Sequence, residues 1–218
     1  AFSYSLPLTV VNNTVDSNEI VRKSLEQIEE NMFHSDVTNI IAVGTLKQVK
    51  GYDRLLRIMK HLQSQKYSVH LYILGTGPMQ GQLENFVNDN KLSSYVSFLG
   101  YQTNPYKYVA RSDLYICSSY SEGFSTAVTE ALIVGTPVCT VDVSGMRELL
   151  GESEYGLVTE NSEKALYEGI KQLLDNPNEL FYYQKQAQFR GKAFSIEKTV
   201  EAVEMMIQNI LGRIDCGH

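Results

Sequence analysis

Apolar residues along this chain fall into two alternating patterns. Short, near-continuous apolar runs stand at residues 8–11, 39–43, 69–74, 95–99, 114–117, 138–141 and 155–158. Each is too short for a helical stripe and lacks the polar alternation of a half-exposed strand, so each predicts a strand buried on both faces. Between the runs, apolar residues recur at helical spacing. Residues 16–33 predict a helix through Ile20, Val21, Leu25, Ile28 and Met32, and a second follows residue 51 with Leu55, Leu56, Ile58, Met59 and Leu62. Further helices are predicted around Leu83, Phe86 and Val87, over 125–135, and in a short segment ending at Leu150, with a short amphipathic segment over 106–111. Three helical patterns close the chain, at 163–174, 178–194 and 196–211, parted by Asn176 and Pro177 and by Phe194 and Ser195.

Strands buried on both faces and alternating with helices predict an α/β fold, a single Rossmann-like, doubly wound parallel sheet flanked by helices. No repeat, linker or low-complexity tract divides the chain, so residues 1–218 read as one domain carrying C-terminal helices at 178–211. In such sheets ligands collect beyond the carboxyl ends of the strands, where the strand order reverses. Three loops holding glycine follow predicted strands, at 44–51, 75–81 and 119–125, and all three are expected on that rim.

The third loop leads into the helix of 125–135. Ser125 and Thr126 suit an N-cap, Gly135 a left-handed stop, and Pro137 cannot continue the helix. No Glu or Gln follows three residues after either candidate cap, so the first amides are open to an anion such as phosphate. Glu122 and Glu130 bracket this helix start, and a carboxylate about one turn along can accept hydrogen bonds from a sugar hydroxyl. The residues alone leave two readings in balance: a sugar-phosphate receptor, or a dipole-capping Glu122 and a solvated Glu130.

The other loops narrow the chemistry. Gly75 and Gly77 with Gly81 miss the dinucleotide-binding spacing by one position, and Lys50 and Gly51 stand in the wrong order for a Walker loop. Lys47 and Lys50 can still neutralise a diphosphate beside a helix start. His34, His61, His70 and His218 form no pair with a nucleophile or carboxylate.

Composition removes several alternatives. With 25 acidic and 19 basic residues the net charge is −6, which disfavours a nucleic-acid backbone as partner. Cys117, Cys139 and Cys216 lie far apart without metal-ligand spacing, a pattern that fits a reducing, cytoplasmic setting. No apolar run approaches the length of a membrane span, and no metal or cofactor is expected. The glycosylation-like pattern at Asn12 is expected to be incidental.

Taken in order, the motifs resemble the C-terminal, donor-binding domain of family 4 glycosyltransferases (glycosyl transferases group 1), retaining enzymes of the GT-B fold. The resemblance runs from about residue 10 to 174 and rests on the following residues. Asn12, Asn13 and Asp16 open it; Val43, Gly44, Lys50 and Gly51 form the first loop, and Leu74 to Pro78 with Leu83 and Glu84 the second. Phe98 to Gly100, Ser112 and Asp113 follow, then Ser119, Glu122 to Phe124, Thr129 to Ala131, Gly135 to Val138, and Glu148 with Leu149. Two glutamates eight residues apart, Glu122 and Glu130, are its most specific element.

The resemblance implies that Glu130 binds the nucleotide ribose, that Glu122 faces the transferred sugar, and that Lys50 stabilises the departing diphosphate. It implies donor contacts from Gly44, Thr45, Lys47, Gly75, Gly77, Tyr101 and Gly123, and from the backbone amides of Phe124, Ser125, Thr126 and Ala127. The family has Arg directly after the first-loop glycine where this chain has Thr45, and Lys47 is the expected substitute.

The implied activity is metal-independent hexosyl transfer from a UDP-sugar, as substrate, to a glycan or lipid-linked acceptor in polysaccharide, capsule or lipopolysaccharide synthesis. The implied acceptor domain is N-terminal and absent from this chain, so weak or no transfer is expected of it alone. Peripheral association of the full-length enzyme with the inner face of the membrane is a further expectation. Two alternatives are a nucleotide-sugar 2-epimerase of the same architecture and a non-catalytic nucleotide-binding or interaction module.

Overall fold

The computed structural model describes residues 15–29, 32–195, 198, 200, 201 and 203–208. The predicted strand at 8–11, the Asn12 and Asn13 motif, Cys216, His218 and parts of the last predicted helix lie outside the described residues. Six parallel strands form one sheet: β1 Thr38–Val43, β2 Val69–Leu74, β3 Val96–Gly100, β4 Leu114–Cys117, β5 Val138–Val141 and β6 Leu157–Thr159. Their order is β3-β2-β1-β4-β5-β6, all parallel, with Val43 beside Leu74 and Ile40 beside Leu114.

The helices are α1 Ser17–Ser24, α2 Tyr52–Ser64, α3 Gln80–Asp89, α4 Tyr106–Val109, α5 Thr126–Ile133, α6 Met146–Leu150, α7 Glu163–Asp175 and α8 Pro177–Gly191. Period-two alternation in the strands sends side chains to two cores. Ile40, Ala42, Leu71, Ile73, Leu114 and Ile116 join Leu55, Leu56 and Met59 of α2, Leu83 and Val87 of α3, and Leu166 and Ile170 of α7. Ile41, Tyr72, Leu74, Tyr115 and Cys117 join Val128, Ala131 and Leu132 of α5, Leu149 of α6 and Ala187 of α8. Every residue of β1's centre, β2, β4 and β5 is buried, which explains the unbroken apolar runs.

Three predicted elements differ in extent. The helix expected over 16–33 ends at Ser24, because neighbouring side chains take its terminal carbonyls: Asn104 Nδ2 donates to Lys23 O at 2.9 Å and Arg111 Nη1 to Ser24 O at 3.0 Å. The segment expected over 106–111 is helical only to Val109. The last strand begins two residues later than the apolar run, since the Tyr155 amide donates to Leu150 O and stays in the turn leaving α6. No helix among the described residues is long and apolar enough to cross a membrane.

Because β3 is followed by a crossing to the far side of β1, the strand order reverses between β1 and β4. The loops after those two strands therefore diverge to opposite sides and leave a crevice above the carboxyl ends.

Candidate active site

The loops after β1 and β4 are stitched together at their bases. Ser118 Oγ donates to Lys50 O at 3.0 Å and the Tyr120 amide to Val49 O at 2.7 Å. Gly51 ends a 3-10 turn, Gln48–Lys50, with φ of 65°. A Cβ there would overlap the carbonyl oxygen of Ser118, so glycine is required both by the left-handed backbone and by the approach of the second loop. This stitching brings Lys50 and Glu122 face to face.

Lys50 Nζ lies 2.7 and 2.9 Å from Glu122 Oε1 and Oε2. Ser119 Oγ donates to the same Oε1 at 2.5 Å. The Glu122 side chain is 9% exposed and that of Lys50 29%, so the pair is shielded far more than a surface ion pair. With Ser119, Ser125, Tyr52 and Tyr115 it surrounds an inner cavity of about 20 Å³, room for roughly one water.

Ser125 is the N-cap of α5, its hydroxyl accepting from the Val128 amide at 3.4 Å. That bond satisfies one of the helix's first amides and leaves those of Thr126 and Ala127 without a carbonyl one turn earlier in the helix. The positive end of α5 thus adjoins the Lys50 ammonium, a combination suited to a phosphate. Gly135, with φ of 80°, follows α5 as expected.

A larger cleft of about 460 Å³ adjoins the inner cavity and shares Val43 with it. Gly44, Thr45, Gly75, Thr76, Tyr101, Gln102 and Tyr106 line it. Gly75, at φ of 135°, carries no Cβ because Gly44 O occupies that space, and the two loops approach backbone to backbone. Glu130 meets the cleft through one of its lining residues, its Oε1 accepting from the Tyr106 hydroxyl at 3.3 Å. Burial raises the pKa of Glu130, partly offset by the Tyr106 hydrogen bond, and burial together with the Glu130 charge raises that of Tyr106.

Of the expected site residues, Lys50, Glu122 and Ser125 surround the inner cavity, while Gly44, Thr45, Gly75 and Tyr101 line the cleft. Gly123, Phe124, Thr126 and Ala127 lie on the chain between Glu122 and Glu130, at and just before the start of α5. Lys47 is exposed beside the 3-10 turn. Gly77 abuts the Leu46 backbone, where a Cβ would stand 2.5 Å from the carbonyl oxygen.

Residue patterns missed Arg54. It is 2% exposed, with Nε donating to Ser118 O at 2.6 Å, Nη2 to Ser119 O at 2.5 Å and Nη1 to Asn161 Oδ1 at 2.9 Å. Its guanidinium also stacks 4.3 Å from the centre of the Tyr120 ring. The available signal was an arginine four residues before Ile58 and eight before Leu62, on the buried stripe of α2. Tyr106 gave no such signal, and Ser119 stood only in the motif leading to Glu122.

A doubly wound sheet with an anion-ready helix start and an ion pair at its switch point defines a ligand-binding α/β domain of the Rossmann type. The chain belongs to the glycosyl transferases group 1 family, whose model matches residues 24–191. It is 34% identical over 188 residues, 85% of the chain and 49% of the relative, to N-acetylgalactosamine-N,N'-diacetylbacillosaminyl-diphospho-undecaprenol 4-alpha-N-acetylgalactosaminyltransferase of Campylobacter jejuni. It is 26% identical to the lipopolysaccharide core biosynthesis glycosyltransferase LpsD of Rhizobium meliloti, over 66% of the chain and 41% of that protein. The chain spans about half the length of the curated relatives it matches. Its fold matches that of Anabaena HepE, solved in complex with UDP, with TM-score 0.78 and 19% identity, covering 92% of this chain and 57% of that one.

Proposed function

We propose that this chain is the donor-binding half of a retaining glycosyltransferase that transfers a hexose from a UDP-sugar to a glycan or lipid-linked acceptor. The observation that carries the reading is the Lys50–Glu122 pair set beside the start of α5 at the switch point. Breaking a sugar–phosphate bond leaves negative charge on the diphosphate, and a preset ammonium with helix amides stabilises that charge as it forms. Lys50 and the amides of Phe124, Ser125, Thr126 and Ala127 take that role. Glu122, one side chain away, faces the sugar, and Glu130 receives the ribose hydroxyls. Gly44, Thr45 and Gly75 admit the nucleotide close to the backbone, with Tyr101 at the outer end.

The acceptor side of the reaction rests with the half of the relatives that this chain does not span. The relatives support the acceptor class: the Campylobacter relative is named for a diphospho-undecaprenol compound and the Rhizobium relative for lipopolysaccharide core biosynthesis. A lipid-linked acceptor favours work at the inner face of the membrane. Calorimetry of the chain with UDP-, GDP- and ADP-sugars tests the reading. Binding of a UDP-sugar in preference to the others is expected, and binding of none of the three would refute it.

A further inference from the structure

The side chain of Glu130 has one hydrogen-bond partner among the described residues, the Tyr106 hydroxyl at 3.3 Å. Tyr106 opens α4 directly after Pro105 and also lines the cleft. The chain on either side of it is held. The amides of Tyr108 and Val109 donate to Pro105 O at 3.0 and 3.1 Å, and the Tyr108 hydroxyl donates to Gln102 Oε1 at 3.1 Å. Asn104, 9% exposed, donates to Lys23 O and to the Glu26 carboxylate, both at 2.9 Å, which ties the segment to α1. The hydroxyl therefore reaches Glu130 of α5 from a fixed base.

A carboxylate offers two oxygens, and free rotation about its last bond would leave neither aimed. We propose that Tyr106 is a positioning residue for donor binding: its hydroxyl occupies Oε1 of Glu130 and so aims Oε2 at the ribose hydroxyls of the bound nucleotide. The inference rests on the proposed reading of Glu130 as ribose anchor. The contribution of Tyr106 is discrimination between ribose and deoxyribose, over and above simple affinity, because a misaimed carboxylate still fits beside a sugar lacking the hydroxyl.

The test is calorimetric titration of the 218-residue chain as wild type, Glu130→Gln and Tyr106→Phe. The probes are UDP, 2′-deoxy-UDP and 3′-deoxy-UDP, with the corresponding GDP and ADP sets in parallel. Wild type is expected to prefer the ribonucleotide over at least one deoxy form by about tenfold, the scale of one hydrogen bond to a charged group. Glu130→Gln should lower that preference. Tyr106→Phe should shrink it to about threefold or less by weakening ribonucleotide binding, with deoxynucleotide affinity and melting temperature held near wild type. A Tyr106→Phe chain that keeps the wild-type preference overturns the inference and leaves the donor reading standing. A wild type that binds nucleotides without discriminating overturns the ribose assignment of Glu130 and this inference together. Binding of no nucleotide diphosphate overturns the donor reading itself.

Discussion

Lys50 and Glu122, seventy-two positions apart in the chain, meet through a two-pronged ion pair in which Nζ lies 2.7 and 2.9 Å from the carboxylate oxygens. On the proposed reading, a diphosphate bound at Lys50 shares that ammonium with Glu122, whose carboxylate then stands near the new negative charge. Glu122→Gln should accordingly tighten binding of UDP by about tenfold, because a like charge near the phosphates is removed and Lys50 is freed. Calorimetry with UDP alone checks this; weaker binding would mean that Glu122 orients Lys50 toward the phosphate. If Glu122 faces the transferred sugar as proposed, transfer by the full-length protein should fall in the same variant.

Lys47 and Lys50 separate the two sources of positive charge. Lys47 is exposed and has no side-chain partner among the described residues, whereas Lys50 is set in the site. Lys50→Ala is expected to weaken UDP binding by about 10- to 100-fold, in the range of a lost charge-assisted contact. Lys47→Ala should weaken it by a few-fold if that lysine substitutes for the arginine replaced by Thr45. An unchanged affinity in Lys47→Ala removes that role.

Arg54 holds the loop that carries Glu122, through the carbonyls of Ser118 and Ser119. Arg54→Met strands the two carbonyls of Ser118 and Ser119 and should destabilise the fold by about 3 kcal/mol. Arg54→Lys should recover only part of this, since one ammonium cannot reproduce the guanidinium fork. Urea unfolding of the two variants against wild type measures both effects.

His70 supplies a pH dependence far from the site. It is buried in β2, with Nε2 2.9 Å from Ser97 Oγ, and its ring faces those of Tyr72 and His34 at 4.6 and 5.1 Å. Burial first, then the charge of His34, lower its pKa from the ordinary 6.5. Below 6.5 the unfolded chain takes up the proton before the folded chain does, so stability falls as pH drops from 6.5 toward the lowered folded value. Above that window the group contributes no slope. Urea midpoints of wild type should fall as the pH drops below the ordinary histidine value of 6.5, and His70→Gln should flatten the fall.

Particular elements show what could be read without coordinates. The apolar runs at 39–43, 69–74, 114–117 and 138–141 marked strands, because residues buried on both sheet faces must be apolar on both. Ser125 and Gly135 bounded α5 through requirements of their own backbones. The end of α1 was not legible, since it is set by Asn104 and Arg111 from another segment. Arg54 was visible only as a charge in an apolar stripe, and its partners come from the loops after β4 and β6.

The sequence by itself determined the strand and helix types and the glycine-bearing loops, because these follow from local periodicity and residue chemistry, whereas the two glutamates and the lysine were given their roles by the resemblance to the family's motifs. Only the tertiary structure decided that β4 lies against β1, that Lys50 is held by Glu122, and that Tyr106 meets Glu130. Those relations depend on which strands pair and which loops cross, and chain-distant contacts of that kind leave no periodic trace in the residues that make them.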